Sequence, residues 1–360
     1  MRDKNEIQKE IIDVILEKDF RGIMLASVRS GKTRQLIKAM QGHYKGNSLT
    51  LSILVAYPNI DVKNSWVDEF AKLAYFPNVT FTTFISLHKF ENNLFDYVIF
   101  DEAHSIPEEN VLPIAGKIAK NNKNVIFASG TYTNDTLCNI KMHTGLSQIV
   151  NYTTEQAIAD GIVSDFTIFV HRYDLDNKIK LERGKVKKWN SSDKSECGRL
   201  TRFLFNSYGE AKKFAAINRM RFINSNNTLV NRVQTWINDN PDKRFLLFAS
   251  DEKTGIKYGI KMYNSKNSSD KILLDFQKEE INQLCLIKKA SSGVTFPNLS
   301  HVLITAINSN GEFMEQMLGR SLLNDTEHSN IHVFVSTEEF QIKWMLSAFE
   351  KLPKEKIIYI

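Results

Sequence analysis

Two short segments carry side chains of the kind that handle phosphate and water. The first is "ASVRSGKT", residues 26–33, which follows an apolar run and opens a helical pattern. A strand that turns into a helix aims backbone N–H groups at its ligand, and here residues 29–33 supply them: Arg29, Ser30, Gly31, Lys32 and Thr33. Lys32 is placed to reach the outer phosphates and Thr33 to hold Mg²⁺. The strict phosphate-loop pattern would have Gly where Ala26 stands, and Arg29 occupies a place often held by a flexible Gly. Alone, these residues also fit a strand–turn–helix with an exposed lysine. The second segment is "FDYVIFDEAHS", residues 95–105, where Asp101 and Glu102 end a continuously apolar strand. Ligands of parallel sheets gather outside the strand C-termini. There Asp101 can hold Mg²⁺, directly or through water, and Glu102 can orient and deprotonate an attacking water. A solvated turn would not require so hydrophobic a strand before it.

Elements able to position these groups recur along the chain. "NEIQKEIIDVILEK" reads as an amphipathic helix. "RGIMLAS", "LSILVAYP", "NVTFTTF", "LFDYVIFDEAHS" and "NVIFASGT" read as strands separated by helical stretches. The alternation resumes with "KRFLLFAS", "YGIKMYNS", "NQLCLIKK", "HVLITA" and "NIHVFVS", with helices such as "DKILLDFQKEE" and "GEFMEQMLGRSLL" between them. Apolar strands alternating with helices imply parallel sheets covered on both faces. The expected organisation is a first α/β domain over 1–155, a linker and basic helical or hairpin insert over 156–225, and a second α/β domain over 226–360.

The 360 residues suffice for about two domains. With 42% hydrophobic and 24% charged residues the composition is that of a globular protein. No apolar run is long enough for a membrane span, and the N-terminus has no apolar signal core, so a cytoplasmic setting without membrane partners is expected. Cys138, Cys197 and Cys285 are far apart and form no CxxC pair, as in a reducing compartment. No His/Cys cluster has metal-ligand spacing, which leaves Mg²⁺ as the expected metal. The net charge is +6, but Asn177–Phe222 alone holds thirteen Lys/Arg against four Asp/Glu. That excess reads either as a solvated face or as a nucleic-acid track. Lys185, Lys187, Lys188, Arg199, Arg202, Lys212, Lys213, Arg219 and Arg221 supply the charge, and Trp189 and Phe203 supply rings able to stack on bases.

The DEAH tetrad at 101–104 resembles motif II of superfamily-2 helicases and translocases, and further segments resemble that family in order. Gln8 resembles its adenine-reading glutamine. "AYPNIDVKNSW" resembles motif Ia, with Pro58, Asn59 and Trp66 placed as in DNA translocases. "TTFISL" resembles motif Ib, and Ser129, Gly130 and Thr131 stand where the family has Ser-Ala-Thr or Thr-Gly-Thr. "EQAIADGIV" is similar to the segment leading out of the first motor domain. "LLFASDEK" resembles motif IV, "KKASSGVTFPN" motif V through Gly293 and Pro297, and "EQMLGRSLL" motif VI through Gln316, Gly319 and Arg320.

The resemblance covers most of the chain outside about 174–225. It implies two RecA-like domains in tandem with an ATP cleft between them, and ATP and Mg²⁺ as cofactors. It places Arg320 across that cleft on the γ-phosphate, a role worth about 10³–10⁵ in rate. His104 would couple nucleotide state to the second domain. Thr82, Thr83, Ser291 and Ser292 would hold nucleic-acid phosphates without reading sequence.

The implied activity is a nucleic-acid motor: a DNA helicase or duplex translocase in repair, recombination or replication, with DNA favoured over RNA. Compact size suggests a viral or phage source, in host cytoplasm. An RNA helicase, a translocase that does not unwind, and an ATP-switched binding module with weak hydrolysis remain alternatives. A P-loop kinase or GTPase accounts for neither DEAH nor the second α/β unit. Departures from the pattern are Leu323 in place of a second motif VI arginine, Met317 in place of another, and Thr295 where motif V often has an acid. These point to slow or partner-dependent hydrolysis.

Overall fold

The computed structural model describes all residues except 1, 28, 45, 47, 59, 179–180, 184–188, 265–269, 288–295, 297, 308–327 and 351, and leaves out the side chains of residues 61, 181–183, 189 and 270. The chain divides into two compact units, Met1–Val163 and Ser164–Ile360.

In the first unit, β1 (Arg21–Ala26), β2 (Ser52–Tyr57), β3 (Asn78–Thr83), β4 (Tyr97–Asp101), β5 (Asn124–Ser129) and β6 (Gln148–Tyr152) form a parallel sheet in the order β3-β2-β4-β5-β1-β6. Helices α1 (Lys4–Glu17), α2 (Lys32–His43), α3 (Ile60–Lys72), α4 (Leu112–Asn121), α5 (Asn134–Thr144) and α6 (Thr154–Ala159) connect the strands. All five residues of β4 are buried, which explains its unbroken apolar run. Phe100 and Phe127, from adjacent strands, stack with centroids 4.2 Å apart. Asp3 caps α1 by accepting from the Asn5 N–H, and Thr153 with Gln156 forms a capping box on α6. The order matters for the site. Strand β5 lies between β4 and β1, so the C-terminal ends of all three stand side by side on one edge.

The second unit holds a seven-stranded parallel sheet in the order β11-β12-β10-β13-β14-β7-β15. Its strands are β7 (Asp165–Tyr173), β10 (Phe245–Ala249), β11 (Met262–Tyr263), β12 (Gln283–Ile287), β13 (His301–Ile304), β14 (His328–Ser336) and β15 (Ile357–Tyr359). A separate antiparallel pair joins β8 (Leu181–Arg183) to β9 (Trp189–Ser191). The helices are α7 (Asp193–Phe205), α8 (Gly209–Ile223), α9 (Asn227–Asp239), α10 (Glu252–Lys257), α11 (Asp270–Gln277) and α12 (Glu339–Ala348).

The stretch 156–225, read from sequence as a linker and insert, is corrected on both sides. Residues up to Val163 belong to the first unit. Beyond them β7 enters the second sheet, pairing along its whole length with β14. Cys197 and Leu200 of α7 and Phe222 and Ile223 of α8 join the same core as Leu229, Phe245 and Leu303. Each fully buried aliphatic side chain of this kind stabilises by about 1.5–3 kcal/mol. Buried Asp193 accepts from both the N–H and the hydroxyl of Thr228, each at 2.7 Å, and so ties the start of α7 to the start of α9. Among the described residues no helix is long and apolar enough to cross a membrane.

Candidate nucleotide-binding site

The first unit gathers its chemistry where β1, β5 and β4 end. Leaving β1, the chain turns through two left-handed residues, Arg29 at φ 68° and Gly31 at φ 90°. Arg29 therefore does not hold the loop out of this shape, as its side chain suggests from sequence. It takes the strained conformation at a cost of about 1–2 kcal/mol. Ala26, in the place of the missing glycine, is simply the last residue of β1. At Gly31 the left-handed backbone strains any residue with a Cβ, and an added Cβ would lie 2.4 Å from Gln8 Nε2 and displace that amide.

Two buried glutamines fix the loop. Gln8 Nε2 donates to the Ser30 carbonyl at 2.8 Å, and Gln35 Nε2 donates to the same oxygen at 3.0 Å. The peptide is trans, so the Gly31 N–H points away from that carbonyl. Gln8, which resembles an adenine reader in the sequence, is in this structure a buried brace of the loop. The Ser30 hydroxyl is buried and has no hydrogen-bond partner among the described residues. Helix α2 begins at Lys32 with no side-chain cap and no acid in its first turn. An uncapped helix start carries free N–H donors and partial positive charge. Lys4 adds to the positive surroundings: burial and the like charges of Arg29 and Arg34 hold its ammonium below the usual lysine range. Free N–H donors and neighbouring positive charge are the chemistry that suits an anion such as a phosphate.

Asp101 closes β4 and is buried. Its Oδ2 accepts from the Trp66 indole at 2.7 Å, and its Oδ1 accepts from the Glu102 N–H at 2.9 Å. Burial, then the charge on Glu102, raises its carboxyl to about 6, while Lys32 and the Trp66 bond pull it back. The effect of Lys32 on Asp101 brings the two sequence-predicted segments into one electrostatic neighbourhood.

Glu102 is left-handed at φ 53° and ψ 46°, and its Oε2 lies 3.4 Å from His104 Nδ1. That nitrogen also meets Ser129 Oγ at 2.7 Å. Ser129 gives its own proton to the Thr131 carbonyl at 2.6 Å, so His104 is the donor to Ser129 and carries its proton on Nδ1. His104 thus lies beside Glu102 and donates to Ser129, which donates in turn to the Thr131 carbonyl in the segment that follows β5. Gln35 escaped sequence reading, as did the bond from Trp66 to Asp101 and the link from His104 to Ser129. The signal for Trp66 was its position six residues into α3, on the helix face turned toward the sheet.

The other predicted residues fall differently. Thr82 is buried, with its hydroxyl turned to the Thr83 carbonyl at 3.3 Å, which removes it from a surface contact. Thr83 is half-buried at the end of β3, and the pairing of Tyr57 with Thr83 sets Pro58 beside it. Asn59, Lys187, Lys188, Ser291, Ser292, Gly293, Gln316 and Arg320 lie outside the described residues, and the side chain of Trp189 does too. Arg219 is not a free track residue: its guanidinium lies 4.0 Å from the Phe340 ring centroid.

The fold has known counterparts. The chain is similar to S. cerevisiae Dbp5 bound to RNA and ADP BeF3, with a TM-score of 0.60 and 11% identity over 98% of this chain and 89% of that one. It is also similar to the ATP-dependent Type ISP restriction-modification enzyme LlaBIII bound to DNA, with a TM-score of 0.59 and 12% identity over 100% of this chain and 31% of that one. At such identities the likeness is one of fold: two RecA-like parallel-sheet α/β domains in tandem. No family model and no curated protein matches the sequence.

Proposed function

We propose that the chain is an ATP-driven nucleic-acid motor, a DNA helicase or duplex translocase serving repair, recombination or replication in the cytoplasm. The observation that carries this reading is the edge where β1 and β4 end: an uncapped α2 start, the orphaned Ser30 hydroxyl, and Lys32 acting on Asp101. Ser30, Gly31, Lys32 and Thr33 would hold the phosphates, and Thr33 with Asp101 would hold Mg²⁺. When bound, Mg·ATP supplies the phosphoanhydride whose hydrolysis releases the free energy for movement. Glu102 accepts the proton of the attacking water at its carboxylate. His104, through Ser129, links that carboxylate to the loop after β5. Arg320 would neutralise charge on the leaving phosphate, and Gln316 and Gly293 would bind the nucleotide as the family resemblance implies. The tandem fold, shared with one RNA-bound and one DNA-bound protein, supports a nucleic-acid partner, and the motif Ia-like segment around Trp66 favours DNA.

The test is ATP hydrolysis with no nucleic acid, with single-stranded DNA, with duplex DNA and with RNA. Stimulation by DNA, abolished in Lys32→Ala and in Glu102→Gln, is expected. Full turnover by Glu102→Gln would remove the assigned base. Equal rates with and without every nucleic acid would remove the motor.

A further inference from the structure

Helix α7 ends and α8 begins with aromatic rings that the fold leaves in solvent. Phe205, Tyr208 and Phe214 are 78%, 83% and 60% exposed, and Phe203 and Ile217 stand out beside them. All five fall in one helix–turn–helix corner of the second unit. The same helices are otherwise well anchored, through Cys197, Leu200, Ala215, Phe222 and Ile223. Helical spacing separates the faces. Ala215 and Phe222 sit on the covered side of α8, while Phe214, Ile217 and Arg221, three and four residues apart in turn, share the outer side. Exposed rings grouped in this way mark a contact surface.

The charge at this corner narrows what it contacts. Residues 193–221 hold seven Lys/Arg and three Asp/Glu. Asp193 is buried on Thr228, and Glu196 and Glu210 are paired with Arg199 and Lys213, each at 2.8 Å. Arg219 is spent on Phe340. Lys194, Arg202, Lys212 and Arg221 are exposed and have no acidic partner among the described residues. A second copy of this surface would set cation against cation. An apolar peptide would cover the rings and leave four cations unanswered. A partner that carries both flat rings and regular negative charge answers both features.

We propose that the α7–α8 corner is a stacking platform for single-stranded nucleic acid, with bases on Phe205, Tyr208 and Phe214 and phosphates on Arg202, Lys212 and Arg221. The proposal deepens the motor reading, resting on it for the strand the platform serves, but it does not require hydrolysis. The rings supply sequence-tolerant affinity and the cations supply its salt dependence.

The experiment uses the full chain without nucleotide. It measures anisotropy of fluorescein-labelled oligo(dT), oligo(U) and a duplex, each of about 20 nucleotides per strand, between about 50 and 300 mM salt. Tyr208→Ala/Phe214→Ala is expected to weaken both single-stranded probes by about tenfold or more, with the salt slope kept. Lys212→Ala/Arg221→Ala is expected to flatten the slope by about 1.4, two phosphate contacts at about 0.7 each. All four side chains are exposed, and thermal melting should match the wild type. Wild-type affinity for single strands in both double variants would overturn the platform. So would loss of self-association in sedimentation with strand affinity intact, which would make the corner a contact between copies. The motor reading fails separately: a wild type that binds single strands through these rings but hydrolyses no ATP keeps the platform and loses the motor.

Discussion

Three histidines on neighbouring strands make the second unit sensitive to acid. His332 of β14 stands between His171 of β7, with Nδ1 to Nε2 at 2.9 Å, and His301 of β13, with Nε2 to Nδ1 at 3.2 Å. Trp236 covers the row, its ring 4.7 Å from that of His332, and Phe169 stacks on it at 5.2 Å. Burial lowers His171 and His301 to about 4, with Lys243 adding to the shift on His301, and burial with both neighbours lowers His332 to about 3. All three folded values lie below the unfolded 6.5. The unfolded chain therefore takes up protons first, so stability is full above pH 6.5 and is lost as pH falls toward 4.

At about pH 5 the buried His332 accounts for about 2 kcal/mol, and the more screened His171 and His301 for about half that each. The sum, about 4 kcal/mol, moves a urea midpoint down by about 2 M at a slope of about 2 kcal/mol/M. Hydrogen exchange on peptides from β7, β13 and β14 localises the change. The contrast lies in the first unit, where Asp101 is raised from 3.8 to about 6 and so adds stability as pH falls through that window. His332→Gln should lose stability at about pH 7 but shed about 2 kcal/mol of the acid sensitivity. A midpoint level between about pH 7 and 5 would refute the reasoning, as would an equal fall in His332→Gln.

Three further outcomes follow from single contacts. Gly31→Ala forces a Cβ onto Gln8 Nε2 at a left-handed position, and should lower thermal stability by more than about 1 kcal/mol and weaken binding of a fluorescent ATP analogue. Trp66→Phe leaves the buried Asp101 Oδ2 without its donor, at about 1–3 kcal/mol. The Mg²⁺ concentration needed for half-maximal hydrolysis should rise about tenfold, whereas a merely packing role for Trp66 would lower the melting temperature and leave that requirement unmoved. Asp193→Ala strips two hydrogen bonds from Thr228 at the start of α9 and should cost about 2–4 kcal/mol in chemical denaturation, with nucleotide binding in the first unit intact.

The parallel sheets were legible because burial on both faces leaves an unmistakable run of apolar residues, as in β4 and β10. The positions of Lys32, Asp101 and Glu102 beside strand ends were legible for a related reason, since an apolar run marks where each strand stops. What escaped were relations across long sequence separations. Nothing local in residues 165–173 shows that their partner is β14, more than 150 residues on, so β7 was grouped with a linker. The basic stretch hid two opposite fates in one composition: Arg219 lies against Phe340, while Arg202 and Lys212 remain in solvent. Charge counting cannot separate them, because a guanidinium packs on rings as readily as it meets phosphate. Thr82 and Thr83 were read alike from sequence, yet alternate residues of a strand face opposite sides, and of the two only Thr82 is buried.

The loop between β1 and α2 shows how departures from a motif can compensate one another. A flexible glycine at position 29 would reach the left-handed region freely, while Arg29 reaches it against its own Cβ. Something must hold the strained turn, and the clamp is Gln8 together with Gln35, whose two amides occupy both lone pairs of one carbonyl. Net stabilisation of about 1 kcal/mol for each bond is enough to offset the strain at Arg29. It also fixes the Ser30–Gly31 peptide, whose carbonyl is held by both amides, so the direction of its N–H is set in advance. An arginine at this position then adds charge where a glycine would add none, and Lys4 records that charge in its lowered basicity. A loop that lacks two of the usual glycines can therefore be stiffer and more positive than the standard form, provided residue 8 remains able to donate.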